Sequence, residues 1–163
     1  MNPKTTLCLD QIDGKLGTLT GSQLKHRIHR DIPGIVTRWL RLNRLRVLQS
    51  LLVSRSPEFQ DLIDDAEELG VITFDEGDHL EQTDIMLSAR RRDDQRAVQV
   101  AISLFQEIAD DDVLLARERA DTLSKIMDTP AVAVAIGSNI TADQQELAAS
   151  LGVATIITPR LAI

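Results

Sequence analysis

Aromatic side chains are nearly absent: the 163 residues include one Trp, three Phe and no Tyr. The core must therefore be built from Leu, Ile, Val and Ala. The same scarcity argues against a base-stacking surface for single-stranded nucleic acid, which needs exposed rings. Cys8 is the one cysteine, so no disulfide can form within the chain and a Cys-based metal site is excluded. That usage fits a reducing compartment. Proline and glycine are spread thinly, with no repeat, low-complexity tract or long linker. No stretch approaches the ~18 consecutive apolar residues of a membrane span, and Met1 to Leu9 holds no apolar run of signal-peptide length. These absences predict a cytoplasmic protein without a membrane partner.

The apolar fraction is 43%, ordinary for a globular chain, and the length fits one domain over residues 1–163. Net charge is −7 but unevenly spread. Residues 22–55 carry eight Lys/Arg against Asp31 alone, whereas residues 56–84 carry eleven acids and no Lys or Arg. Such asymmetry can mark a nucleic-acid surface. The simpler reading, favoured by the overall negative charge, is two segments that neutralise each other or form opposite solvated faces.

Along the chain, residues 1–20 read as a lead-in, 21–82 as mainly helical and 83–163 as an α/β part. Ser22 is a fair N-cap for a helix through Leu24 and Ile28, which Pro33-Gly34 should interrupt or kink. Apolar residues continue from Ile35 to Leu52, and Leu45 to Leu48 fits helix or strand. Ser56-Pro57-Glu58 is a helix start, and Gly70 a stop. Thr73 with Glu76 predicts a capping box for a short helix. From Thr83 the pattern changes to strands. Asp84–Ala89 and Ala97–Leu104 form a hairpin across a charged turn. Asp110-Asp111-Asp112 opens a helix to Met127, with acids suited to the helix dipole. Ala131–Ile136 is apolar throughout, as for a strand buried on both faces. Thr141 caps a helix ending at Gly152, and Ala154–Ile157 is the last strand, reached by a right-handed crossover.

This order resembles the PD-(D/E)XK, or restriction-endonuclease-like, superfamily, and in particular a group of uncharacterised prokaryotic proteins of that fold. The matching pieces are Leu19-Thr20-Gly21, Gly70-Val71-Ile72-Thr73, Thr83-Asp84-Ile85-Met86 followed by Arg90-Arg91-Arg92, and Gln99-Val100-Ala101-Ile102-Ser103. The resemblance spans roughly residues 16 to 158. It implies an α/β fold with a core of helix, strand hairpin, helix, buried strand, helix and strand, preceded by extra N-terminal helices. It also implies that Leu45 to Leu48 belongs to the first strand. Nucleases of this kind hold Mg²⁺ with two carboxylates, and the metal, assisted by a Lys, activates the attacking hydroxide. Period-two alternation puts the second acid and the Lys on one face of a strand. Here the resemblance sets Asp84 at the first acid, Ala101 at the second and Ser103 at the Lys. Lys25 stands where such enzymes often carry a supporting Glu. A methyl group cannot replace a carboxylate ligand. Glu81, Gln99 and Glu107 are the side chains to weigh as substitutes, and Gln99 is neutral.

Other residues have bland readings beside functional ones. Asp84 is a metal ligand or a strand-start residue bonded to backbone or to an Arg. His26 and His29 are spaced to share a helix face, but a basic helix repels a cation. Arg38, Arg41 and Arg44 read as a helical stripe that grips phosphate or pairs with the acidic helix of Glu58 to Glu68. Arg90, Arg91 and Arg92 read as a hairpin tip, also a phosphate contact. Ser138-Asn139 could cradle an anion at a helix N-terminus. Cys8 has no activating neighbour in sequence, and Ser103 lacks the surroundings of a nucleophile.

The expected function is a non-catalytic nuclease-fold protein serving as an interaction or assembly module, most simply a homodimer, with another protein as a possible partner. An exposed apolar patch on the last strand or on Ile35–Leu42 would suit that. No cofactor is called for. The alternatives are a nuclease with a migrated active site, which would bring in Mg²⁺, and a nucleic-acid-binding module without catalysis.

Overall fold

The computed structural model describes residues 6–8, 21–52 and 55–158, with side chains for 27, 29–52 and 55–158. It is an α/β protein: a six-stranded mixed sheet with helices on its two faces. The elements run β1 (Thr6–Cys8), α1 (Gly21–Trp39), β2 (Leu42–Ser50), α2 (Pro57–Glu68), α3 (Phe74–Glu81), β3 (Ile85–Arg91), β4 (Ala97–Leu104), α4 (Asp110–Met127), β5 (Ala131–Gly137), α5 (Ala142–Ser150) and β6 (Val153–Ile157). Strand order is β1-β6-β5-β4-β3-β2. The β2–β3–β4 meander is antiparallel, while β4, β5, β6 and β1 are mutually parallel. Helices α4 and α5 supply the crossovers that parallel neighbours need.

The two faces of the sheet have different chemistry. One carries Ile85, Leu87, Val100, Ile102, Val134 and Ile136, and α1 lays Ile32 and Val36 on this apolar layer. The other presents Ala101, Ala133 and Ala135, and against it α4 sets Ala116 and Ala120. Alanine facing alanine lets a helix seat close to a sheet, and aliphatic burial at about 25 cal/mol per Å² holds the aromatic-poor core together. No helix among the described residues is long and apolar enough to cross a membrane.

The helix starts follow local chemistry. Ser56 caps α2 ahead of Pro57, and Thr141 caps α5 through a reciprocal bond pair with Gln144. On α3, Thr73 and Glu76 form the capping box. Glu76 also accepts from Lys125 of α4 at 2.9 Å, which ties α3 to α4.

Four expectations need correction. Helix α1 runs through Pro33 without a break. Pro33 removes one helical donor, while its own carbonyl accepts the Thr37 hydroxyl. The arginine stripe does not form, because α1 stops at Trp39. Arg41 and Arg44 then take left-handed backbone, φ 57° and 53°, the first in the turn before β2 and the second at an irregularity in the β2–β3 register. Arg90 and Arg91 belong to β3, so only Arg92 begins the hairpin turn. Nor do the last strand and Ile35–Leu42 expose an apolar patch: β6 lies between β1 and β5, and Ile35, Trp39 and Leu40 pack on the core. Strand β1 falls within the segment read as a lead-in. Residues 9–20, and with them Leu19 and Thr20 of the first matching piece, lie outside the described residues, as do the side chains of Cys8, Ser22, Lys25 and His26.

The capping box makes a pH-dependent prediction. Backbone donation from Thr73, then the Lys125 side chain, hold the Glu76 carboxyl below its ordinary 4.5. A depressed carboxylate contributes stability above its unfolded value and loses it as pH falls through the folded one. Glu76→Gln keeps the capping acceptor, as Gln144 does on α5, and loses only the charge, so it should cost about 0.5 kcal/mol near neutral pH. The wild-type advantage in urea unfolding should vanish as pH drops below the ordinary carboxylate range. An advantage that persists in acid would contradict this origin.

Candidate functional site

Side-chain alternation brings Asp84, Ser103 and Ala101 to one end of the sheet, since Ile85 pairs with Ile102 and Met86 with Ala101. Asp84 directly precedes β3. Its Oδ2 accepts from the Leu104 N–H at 2.7 Å, and its carbonyl accepts from Leu51 N–H at 2.9 Å. Its Oδ1 lies 3.6 Å from Nε2 of the buried His29. The other imidazole nitrogen of His29, Nδ1, is 3.0 Å from the Ser50 hydroxyl. Ser50, His29 and Asp84 thus form a line joining β2, α1 and the start of β3. Ser50 and His29 are both buried, so this line clamps three elements and presents no nucleophile to solvent. Spacing gave no sign of it, because His29 meets Ser50 only once α1 packs on β2, and Ser50 comes to the start of β3 only through the β2–β3 pairing.

Where the resemblance expects a carboxylate and a lysine beside Asp84, the chain has Ala101 and Ser103. Ala101 is a buried methyl, and Ser103 is fully buried. The Ser103 hydroxyl accepts from Nη1 of Arg119 on α4 at 2.9 Å, while Arg119 Nε donates to the His79 carbonyl at 2.9 Å. Arg119 is 6% exposed. Burial lowers its pKa, and the negative charge of Asp84, then of Glu118 and Asp112, acts in the opposite sense. Arg119 was legible only as one residue of an amphipathic helix. Its burial depends on how closely α4 sits on the sheet.

No substitute acid joins Asp84 in a cluster of three possible metal ligands among the described residues. Such a cluster does form from Asp64, Glu67 and Glu81, between α2 and α3. The Glu67 carboxyl is held above its ordinary value by burial and by the charges of Asp64, Glu81 and Asp78. Glu107 lies 3.4 Å from Asn139 Nδ2. Gln99 is buried, its Oε1 without a hydrogen-bond partner. Ser138 donates its hydroxyl to the Gln106 carbonyl and is buried, so it does not offer the anion cradle expected of it. Lys25 lies in α1, its side chain outside the described ones.

The six arginines flagged as phosphate contacts divide. Arg38, Arg41, Arg91 and Arg92 line one cavity of about 770 Å³ at the opposite end of β3 from Asp84. Arg44 is exposed on β2 and is not part of its lining. Arg90 donates to the Gln95 carbonyl within the hairpin. None pairs with the acidic helix of Glu58 to Glu68; among the described residues, His29 with Asp84 is the sole ion-pair contact between segments 22–55 and 56–84. Comparison with models of protein families, with curated proteins and with solved structures finds no match.

The Arg119 fork makes a second prediction. Arg119→Ala strands the Ser103 hydroxyl and the His79 carbonyl and should cost about 2–3 kcal/mol. Arg119→Lys should recover less than half of the loss, because an ammonium cannot bridge both acceptors as a planar guanidinium does. Denaturant unfolding of both variants decides; a lysine variant as stable as the wild type would remove the fork from the account.

Proposed function

We propose that this chain is a restriction-endonuclease-like protein that has lost its chemistry and works as a binding and assembly module. The observation that carries the reading is Ala101, a buried methyl where the resemblance expects the second carboxylate, with Ser103 beyond it tied to Arg119. The Arg119 guanidinium is bonded to Ser103, in the position the resemblance gives to the catalytic lysine, and feels the charge of Asp84. Active enzymes of this kind pair a lysine cation with the metal at this place, so the guanidinium is no bar in itself; Ala101 leaves a divalent ion one carboxylate short. The element order supports the same reading: a helix, an antiparallel meander headed by an acidic residue, then two parallel crossovers.

An assembly role needs surface, and the described residues offer one around the α2–α3 turn. Leu69 is 79% and Phe74 70% exposed, with Val71 between them. Exposed large apolar groups gathered in this way suit a protein contact, and a two-fold dimer is the simplest form of it. The β2 edge is a poorer candidate. Leu45 and Val47 are exposed there, but the bulge at Arg44 and the charges of Arg44 and Arg46 protect that edge from strand pairing.

Calorimetric titration of Mg²⁺ and Mn²⁺ into the wild type and Asp84→Ala tests the loss of chemistry. We expect no binding that depends on Asp84. A metal isotherm abolished by Asp84→Ala would overturn the reading in favour of an active site rebuilt from other acids. Sedimentation equilibrium tests the assembly: the wild type should be dimeric and Phe74→Glu monomeric. A monomeric wild type would leave the module without its self-contact.

A further inference from the structure

The arginine-lined cavity lies about 20 Å from Asp84, the length of β3 at ~3.3 Å per residue. It is therefore separate from the end of the sheet that a nuclease of this fold would use. Arg38 and Arg41 reach it from the α1–β2 junction, Arg91 and Arg92 from the hairpin. The two pairs are far apart in the chain and are fastened together by backbone. Arg92 N–H donates to the Arg41 carbonyl at 3.2 Å, and Arg92 Nε donates to the Leu42 carbonyl at 3.0 Å.

Three features mark this as a built anion site. First, Arg38, Arg41 and Arg91 make no ion pair or side-chain hydrogen bond among the described residues. The one acid in the lining, Asp93, accepts from the Asp94 N–H at 2.7 Å and so serves the hairpin turn. Second, Arg41 holds φ 57°, a conformation in which glycine is unstrained and a long side chain is not. The turn following a helix is where glycine is most favoured, yet arginine occupies it and lines the cavity. Third, Leu40, Leu42, Val98 and Val132 give the cavity an aliphatic floor. Guanidiniums above an aliphatic floor fit a ligand with several anionic oxygens and an uncharged body.

We propose that this cavity binds a nucleoside polyphosphate, with the phosphates among Arg38, Arg41 and Arg91 and the nucleoside against the aliphatic floor. Its volume lies within the ~300–1,000 Å³ of small-molecule sites. Inorganic phosphate would leave the floor unused. A long nucleic acid would leave the positive patch and meet a chain of net charge −7.

The test is calorimetric titration of ATP, pyrophosphate and a short single-stranded oligonucleotide into the wild type, Arg41→Gly and Arg91→Ala at low salt. ATP should bind, pyrophosphate about tenfold more weakly, and each variant should weaken ATP about tenfold. Arg41→Gly separates binding from structure: relief of the left-handed backbone should hold or raise its Tm while affinity falls. If Arg91→Ala fails to fold, Arg41→Gly alone decides. Absence of ATP binding, ATP binding that the folded variants leave unchanged, or an oligonucleotide that binds where ATP does not would each overturn the proposal. None of these outcomes bears on the metal titration at Asp84, so the two readings stand or fall separately.

Discussion

The close seating of α4 on the alanine face of β4 and β5 is the contact on which the rest of the structure depends. Ala116 and Ala120 meet Ala101, Ala133 and Ala135 in one buried cluster. Side chains this small leave little stand-off between helix and sheet, and protein interiors do not tolerate the gap that a misfit would leave. One consequence is chemical. A helix held this near the sheet brings Arg119 within reach of the Ser103 hydroxyl, a contact that a wider interface would deny. Another is architectural: α3 joins the same layer because Lys125 of α4 reaches Glu76 and His79 faces Glu118.

The buried guanidinium shows how the fold satisfies the polar groups at this end of the sheet. A buried charge must be compensated, and here the compensation comes from two neutral acceptors and the nearby charge of Asp84. Asp84 itself is occupied by the Leu104 N–H on one oxygen and faces His29 with the other. A carboxylate so engaged gives up hydrogen bonds when it binds an ion, and Ala101 supplies no second carboxylate to offset that cost.

How much of this was legible in the sequence depends on how far apart the interacting residues lie. Contacts within a turn were legible: Ser56 with Pro57, Thr73 with Glu76, and Thr141 at the start of α5 all act within three residues, as capping requires. The hairpin and the buried β5 were legible from apolar patterning. Pro33 misled because its cost is local while the gain is not: burial of Ile32 and Val36 on the sheet outweighs one missing donor. The arginine stripe misled because a three-residue spacing means nothing beyond the end of a helix. What brings Arg41 to Arg91 is the β2–β3 pairing, in which Leu42 lies opposite Arg91, and no local rule reports such a register. The Ser50–His29–Asp84 line is hidden in the same way.

Charge segregation in the chain then takes on a physical meaning. If the basic segment 22–55 were folded against the acidic segment 56–84, the arginines would be spent on neighbouring carboxylates. Instead, Glu76 of α3 finds its partner in Lys125 of α4, and His79 of α3 meets Glu118 of α4. The described arginines of the α1–β2 junction keep their charge. Placed on a surface that is negative overall, four guanidiniums around one concavity make a local positive well whose attraction fades within roughly a Debye length, about 8–10 Å at physiological salt. A field of that shape favours a compact anion over an extended one, because only charge inside the well gains from it and charge outside is repelled. The same electrostatics that keep the cavity open to a small ligand therefore select against a polymer of the same phosphate chemistry.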